Sequence, residues 1–84
     1  MKNILKYGVG TKAWFDSFGG MFACVVTKIQ GEIVTAKITA RHPIGYKYGE
    51  IIEFSQAAII PRQHLRCHGG QQRILTNYLW ENSN

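Results

Sequence analysis

The stretch from Met21 to Ala40 constrains the fold more than any other part of the chain. It reads MFACVVTKI, then Gln30-Gly31-Glu32, then IVTAKITA. β-Branched residues dominate both halves; they lose χ1 freedom in a helix and pack well on a pleated surface. Gly31 stands where a tight reversal needs a residue free to take positive φ. The segment therefore predicts an antiparallel hairpin and argues against a helix. In the return half, Val34, Ala36 and Ile38 share one face while Thr35, Lys37 and Thr39 share the other, the period of a half-buried strand. In the outgoing half, Ala23, Val25 and Ile29 are the expected inward set, and Lys28 marks a face open to water.

The neighbouring segments extend the β pattern. Residues 10–15 (GTKAWF) form an expected first strand, and the glycine pair after Asp16-Ser17-Phe18 marks a loop. Residues 41–49 (RHPIGYKYG) form a second loop broken by Pro43, Gly45 and Gly49. Residues 50–54 read as a strand, Ser55-Gln56 as a short 3₁₀ link, and Ala57–Ile60 as a last strand. Pro61 stops it, having no N–H for a continuing ladder. Beyond it the pattern changes. Residues 62–73 carry Arg62, His64, Arg66, His68 and Arg73 without an acid. Ile74, Leu75, Tyr78 and Leu79 fall at helical spacing, so the end of the chain is expected to be a short helical or irregular appendage. The expected organisation is an N-terminal segment over 1–9, a mostly β domain over 10–61, and a basic connector with its appendage over 62–84.

Composition narrows the class. At 84 residues, with 45% hydrophobic and 18% charged residues, the chain suits one globular domain and one core. No apolar run approaches the roughly 18 residues of a membrane helix, and the opening MKNILKYGVGTK lacks the apolar stretch of a signal peptide. The expectation is a cytoplasmic protein with no membrane partner. Cys24 and Cys67 are too few for a disulfide framework, and Cys24 lies in an apolar run where a thiol packs as a small core residue. The formal net charge of +5 leans towards an acidic partner.

The motifs Ala23-Cys24-Val25, Ile29-Gln30-Gly31, Val34-Thr35-Ala36, Tyr48-Gly49-Glu50 with Glu53 and Phe54, and Ile59-Ile60-Pro61 follow one another with a long first loop, a tight central hairpin and a short link before the last strand. Over residues 10–61 this resembles a small five-stranded SH3-like barrel, and in detail it is similar to Tudor-type modules. The resemblance implies a binding module in which an aromatic cage could hold a methylated lysine or arginine. Tyr48 matches one aromatic position of that family. Glu50 stands where Asn is usual, Met21 and Phe22 replace an aromatic pair, and Ile38 occupies another cage position.

The residues themselves point first to nucleic acid. Lys12, Arg41, His42 and Lys47 lie near Trp14, Tyr46 and Tyr48 in sequence, and Arg62, Arg66 and Arg73 follow. Rings that stack on bases, interleaved with cations that track phosphate, suit single-stranded nucleic acid or RNA. Trp14 and the tyrosines could instead fill one end of the domain. The alternative partner is a protein or a second copy of the chain, met through the loops or through Ile74, Leu75, Tyr78, Leu79 and Trp80. His64, Cys67 and His68 are metal-ligand types, but they form one compact group without the paired knuckles of a zinc site. The five carboxylates, Asp16, Glu32, Glu50, Glu53 and Glu81, are dispersed. Neither cysteine sits in a nucleophile motif, and the glycine pairs lack the lysine of a phosphate loop. The sequence thus predicts a non-enzymatic binding module with no catalytic residue, metal or cofactor.

Overall fold

The structure, a computed structural model, describes residues 5–17, 20–62, 65–68, 71–74 and 78–82, with the backbone alone described at 65–68 and 71–74. Among the described residues nine strands follow in chain order: β1 Leu5–Tyr7, β2 Lys12–Ser17, β3 Gly20–Gln30, β4 Ile33–Ile38, β5 Ile51–Ser55, β6 Ile59–Pro61, β7 Leu65–His68, β8 Gln71–Ile74 and β9 Tyr78–Trp80. A single 3₁₀ turn, Gln56–Ala58, separates β5 from β6. Five strands form one antiparallel sheet in the order β5-β4-β3-β2-β6. The 11-residue β3 is its spine, pairing with β2 over Gly20–Val25 and with β4 over Cys24–Gln30. Among the described residues the ladder ends at β5 on one side and β6 on the other, so hydrogen bonds do not close this sheet into a barrel. The 3₁₀ turn carries the chain from one end strand to the other without pairing them.

The hairpin predicted around Gly31 is present, with Gln30 opposite Ile33. Gly31 has φ 58° and, among the described residues, no non-glycine residue has positive φ, the pattern of a II′ turn with glycine in its first central position. Val34, Ala36 and Ile38 are fully buried. The inward set expected on β3 needs correction. Phe22, Cys24 and Val26 are the buried residues with Ile29, whereas Ala23 and Val25 are half-buried on the opposite face. The register shifts between Val26 and Lys28, leaving Thr27 as the extra residue of a β-bulge. One extra residue reverses the alternation, so odd positions face inward after the bulge and even positions before it.

The expected helical or irregular end is also corrected, since its described residues are strands. Gln71–Ile74 pairs antiparallel with Leu65–His68, and Tyr78–Trp80 pairs in parallel with Leu5–Tyr7. A helix of about ten residues gains too little from its own hydrogen bonds to stand alone, while β1 offers β9 a ready edge. The junction is built from aromatic rings. Trp80 is buried and meets Tyr7 edge-on at 6.1 Å and Tyr78 at 6.0 Å. Its indole N–H donates to the Ile59 carbonyl at 3.2 Å, which also accepts the Tyr78 hydroxyl at 3.3 Å. Trp80 therefore belongs to the same core as Ala13, Phe15, Ile52 and Ile59. Asn82 adds a tie across the molecule, its side-chain oxygen accepting from the Gly31 amide at 2.6 Å.

Candidate nucleic-acid interface

The inner face of the sheet is apolar, and the register sets what its outer face carries. Lys12 lies opposite Val25, Val25 opposite Lys37, and Lys37 opposite Ile51, one continuous row across four strands. In the adjoining row Lys28 lies opposite Thr35, and Thr35 opposite Glu53. Lys12, Lys28 and Lys37 are all exposed. Trp14 stands on the same face two residues along β2, paired with Ala23 and Ile60. Immediately after β6, Arg62 folds back over it, with the guanidinium carbon 4.8 Å from the ring centroid. The face thus carries four cations and a half-buried indole, with Asp16 and Glu53 as its acids. Trp14 is neither pure core nor a bare contact ring; its inner neighbours Ala13 and Phe15 fill the core instead.

The loop after β4 brings the second group of expected site residues. Arg41, His42 and Lys47 are exposed, and Tyr48 is 68% exposed. Glu50, the departure from the resembled turn, has a local role: its carboxylate accepts the Lys47 amide at 2.9 Å while its own amide donates to the Lys47 carbonyl at 3.0 Å. That turn holds Tyr48 outward. It also docks on the sheet, because Gly49 donates to the Ile38 carbonyl at 2.8 Å and Ile38 donates to Glu50 at 2.9 Å. Tyr46 points the other way. It packs edge-on against Phe15 at 5.3 Å and Phe22 at 6.1 Å.

The end of β2 and the 41–49 loop do meet in space. Phe15, Asp16, Ser17, Tyr46 and Phe54 line an open cavity of about 350 Å³. Phe15 and Phe54 lie 4.4 Å apart at its base. Aromatic carbon in such a cavity suits a planar ring or an organic cation. Tyr48, the ring the resemblance singled out, is not among the described lining of this cavity; Tyr46 takes that part.

The remaining expected residues divide. Arg66 and Arg73 are Cα partners across the β7–β8 hairpin, and Ile74 pairs with Leu65. Leu75 and His64 lie outside the described residues, and Cys67 and His68 are described only as backbone of β7. Of the C-terminal apolar residues, Tyr78 and Trp80 turn inward and Leu79 is 46% exposed. Lys28 and Lys37 join the face although the charge runs in the sequence did not single them out. Their signal was the period-two alternation, which had already placed them on wet faces. Burial pushes the Cys24 thiol up to about 11, with the Arg62 charge pulling weakly the other way, so Cys24 is a neutral core residue and no nucleophile.

No protein-family model matches the chain, and no curated protein or solved structure matches it.

Proposed function

We propose that the protein is a small, non-enzymatic, cytoplasmic module that binds single-stranded nucleic acid or RNA on the outer face of its sheet. The observation that carries this reading is one sheet face that holds Lys12, Lys28 and Lys37, with Arg62 stacked on the half-buried Trp14 at one side and Lys47 and Tyr48 on the loop docked beside Lys37. Cations spaced along a pleated surface can track successive phosphates, and rings beside them can stack on bases without reading sequence. The architecture supports an SH3-like arrangement: the order β5-β4-β3-β2-β6, a long strand shared by both halves, and a 3₁₀ turn before the last sheet strand.

The test is anisotropy of labelled single-stranded DNA, RNA and duplex DNA titrated at two salt concentrations. Charge reversal at Lys28 and Lys37 should weaken binding of every sequence alike and reduce the salt slope by roughly 0.7 per lost phosphate contact on a single strand. Wild-type protein that binds none of the three forms at near-physiological salt would sink the proposal.

One observation favours a second reading, a protein partner. The amide of Gln56 bonds to Glu32 and that of Ile38 to Glu50, so the alternate peptide groups of β5, at Ile51, Glu53 and Ser55, point away from β4 at the open edge of the sheet. A partner's extended segment could add there. Proline at Ile51 or Ser55 would block that addition and leave a nucleic-acid interface centred on β2–β4 largely intact.

A further inference from the structure

A second hollow, about 420 Å³ in volume, lies beside the proposed interface and is lined by Tyr7, Gly10, Thr11, Lys12 and Arg62. It sits where the chain enters β2, below the Trp14–Arg62 stack. A reverse turn shapes it: Gly8 offers its carbonyl to both the amide and the hydroxyl of Thr11, at 3.3 and 2.7 Å. Gly10, whose amide donates to the Val26 carbonyl, has φ 94°, a conformation that favours glycine in this turn. The described lining holds two cations and no carboxylate.

Arg62 is the telling residue. Its guanidinium is held in place by stacking on Trp14, and its Nε–H is buried with no acceptor. A buried donor left unmade costs free energy, and a charged one more than a neutral one. Among the described residues nothing offsets that cost. An anion in the hollow would meet the guanidinium's charge from the open side, accepting from its terminal N–H groups while Lys12 supplies a second charge.

We propose that this hollow binds a phosphate monoester, the terminal phosphate of the nucleic-acid strand that lies on the outer face. The inference rests on the nucleic-acid reading for its source, though not for its chemistry. A monoester carries close to two negative charges near neutral pH, which matches the two cations of the described lining. It also terminates a chain, so it can enter a concave site, whereas a backbone diester with sugars on both sides fits an open face. Lys12 and Arg62 thereby join the hollow to the row of cations and set the polarity of the strand across the sheet.

The experiment compares two 3′-labelled oligothymidylates, one with a 5′-phosphate and one with a 5′-hydroxyl, by anisotropy at fixed salt. Wild-type protein should prefer the phosphorylated strand by about tenfold or more, the worth of a charge-assisted bidentate contact. Arg62→Gln should bring that ratio close to one, whatever it does to binding overall. Lys12→Gln, at an exposed side chain that places no demand on folding, should lower it in part. Equal binding of both strands by the wild type overturns the terminal-phosphate site and leaves the nucleic-acid reading standing. If neither strand binds, that reading falls, and titration of ¹⁵N-labelled protein with thymidine 5′-monophosphate and with inorganic phosphate decides the hollow. Saturating shifts confined to the amides of Gly10, Thr11, Lys12 and Arg62 would keep the phosphate site with a small-molecule source, and their absence would overturn it.

Discussion

Replacing Trp80 tests whether the end of the chain completes the core. Its side chain is 6% exposed, its indole N–H is bonded to the Ile59 carbonyl, and two tyrosine rings meet it edge-on. Trp80→Ala should destabilise the protein by about 3–5 kcal/mol, the usual cost of deleting a large buried ring. For a small domain whose total stability is about 5–15 kcal/mol, that is a large share. At roughly 4–8 °C per kcal/mol the melting temperature should fall by tens of degrees. Trp80→Phe separates packing from hydrogen bonding. It keeps most of the ring, and the Ile59 carbonyl retains the Tyr78 hydroxyl as donor, so the cost should stay near about 1–1.5 kcal/mol. Urea unfolding followed by far-ultraviolet circular dichroism reads both values, and the phenylalanine variant guards against a complete loss of fold. If Trp80→Ala costs less than about 1 kcal/mol, β9 is a peripheral strand and the packing argument is wrong.

Other outcomes follow from the same geometry. Tyr46→Ala should cost about 2–3 kcal/mol of stability because its ring is packed between Phe15 and Phe22. Tyr48→Ala, at an exposed position, should leave stability within about 0.5 kcal/mol while weakening single-strand binding by about 1–3 kcal/mol; both are read by chemical denaturation alongside anisotropy. Gly31→Ala places a side chain at φ 58° and should cost about 1–2 kcal/mol by urea denaturation. Folding raises the Cys24 thiol from 9.0 to about 11 and raises the Tyr78 hydroxyl above 10.0, in both cases through burial. Both groups are neutral when protonated, so the unfolded chain releases these protons first. The Cys24 contribution is present below about pH 9 and is lost as pH rises towards 11, and the Tyr78 contribution is present below about pH 10 and is lost above it. Melting curves from pH 7 to 11 should fall over that window. In a Cys67→Ser background, Cys24 should react with a thiol reagent only as the protein unfolds.

The parts of the fold that local chemistry dictates were legible before the structure. The tight reversal at Gly31, the shared face of Val34, Ala36 and Ile38 and a 3₁₀ link before the last strand of the sheet each follow from a residue type at a fixed spacing, although the link runs over Gln56–Ala58 rather than Ser55-Gln56 and Pro61 pairs with Ala13 as the last residue of β6 rather than ending the strand before it. What failed was long-range. The helical spacing of Ile74, Leu75, Tyr78 and Leu79 is a property of one segment, whereas β9 owes its conformation to Leu5–Tyr7 at the other end of the chain. Parallel pairing of the two ends leaves no local trace, because the intervening domain serves as the connection. The site was legible in the same uneven way. Lys12, Lys47 and Tyr48 stand exposed as expected, but Tyr46 is spent on packing. Sequence distance could not show that Arg62 reaches back over Trp14.

The bulge at Thr27 links the fold to the site. Counting alternate residues back from Ile29 puts Ala23 and Val25 inside, with Phe22, Cys24 and Val26 in water. The opposite holds, because Thr27 is looped out between the Val26–Ala36 and Lys28–Thr35 pairs. The consequence is electrostatic as well as steric. With Val25 turned outward, β2 and β4 flank it with Lys12 and Lys37 in one row, and Lys28 stays outward in the next despite following an even-numbered inward set. Were Thr27 paired in a regular ladder instead of bulged, any register that buried Phe22, Cys24 and Val26 would also turn Lys28 into the core and push Ile29 out, since a one-residue shift moves every later side chain to the other face. A charged ammonium cannot be buried there without a partner. Deletion of Thr27 itself, by contrast, joins Val26 directly to Lys28 and leaves Val26 and Ile29 inward with Lys28 outward in an unbroken ladder, so the shortened protein should keep a cooperative unfolding transition. A Thr27-deleted protein that lost its cooperative unfolding transition would show that the bulge does more than reset the alternation between the apolar and basic sides.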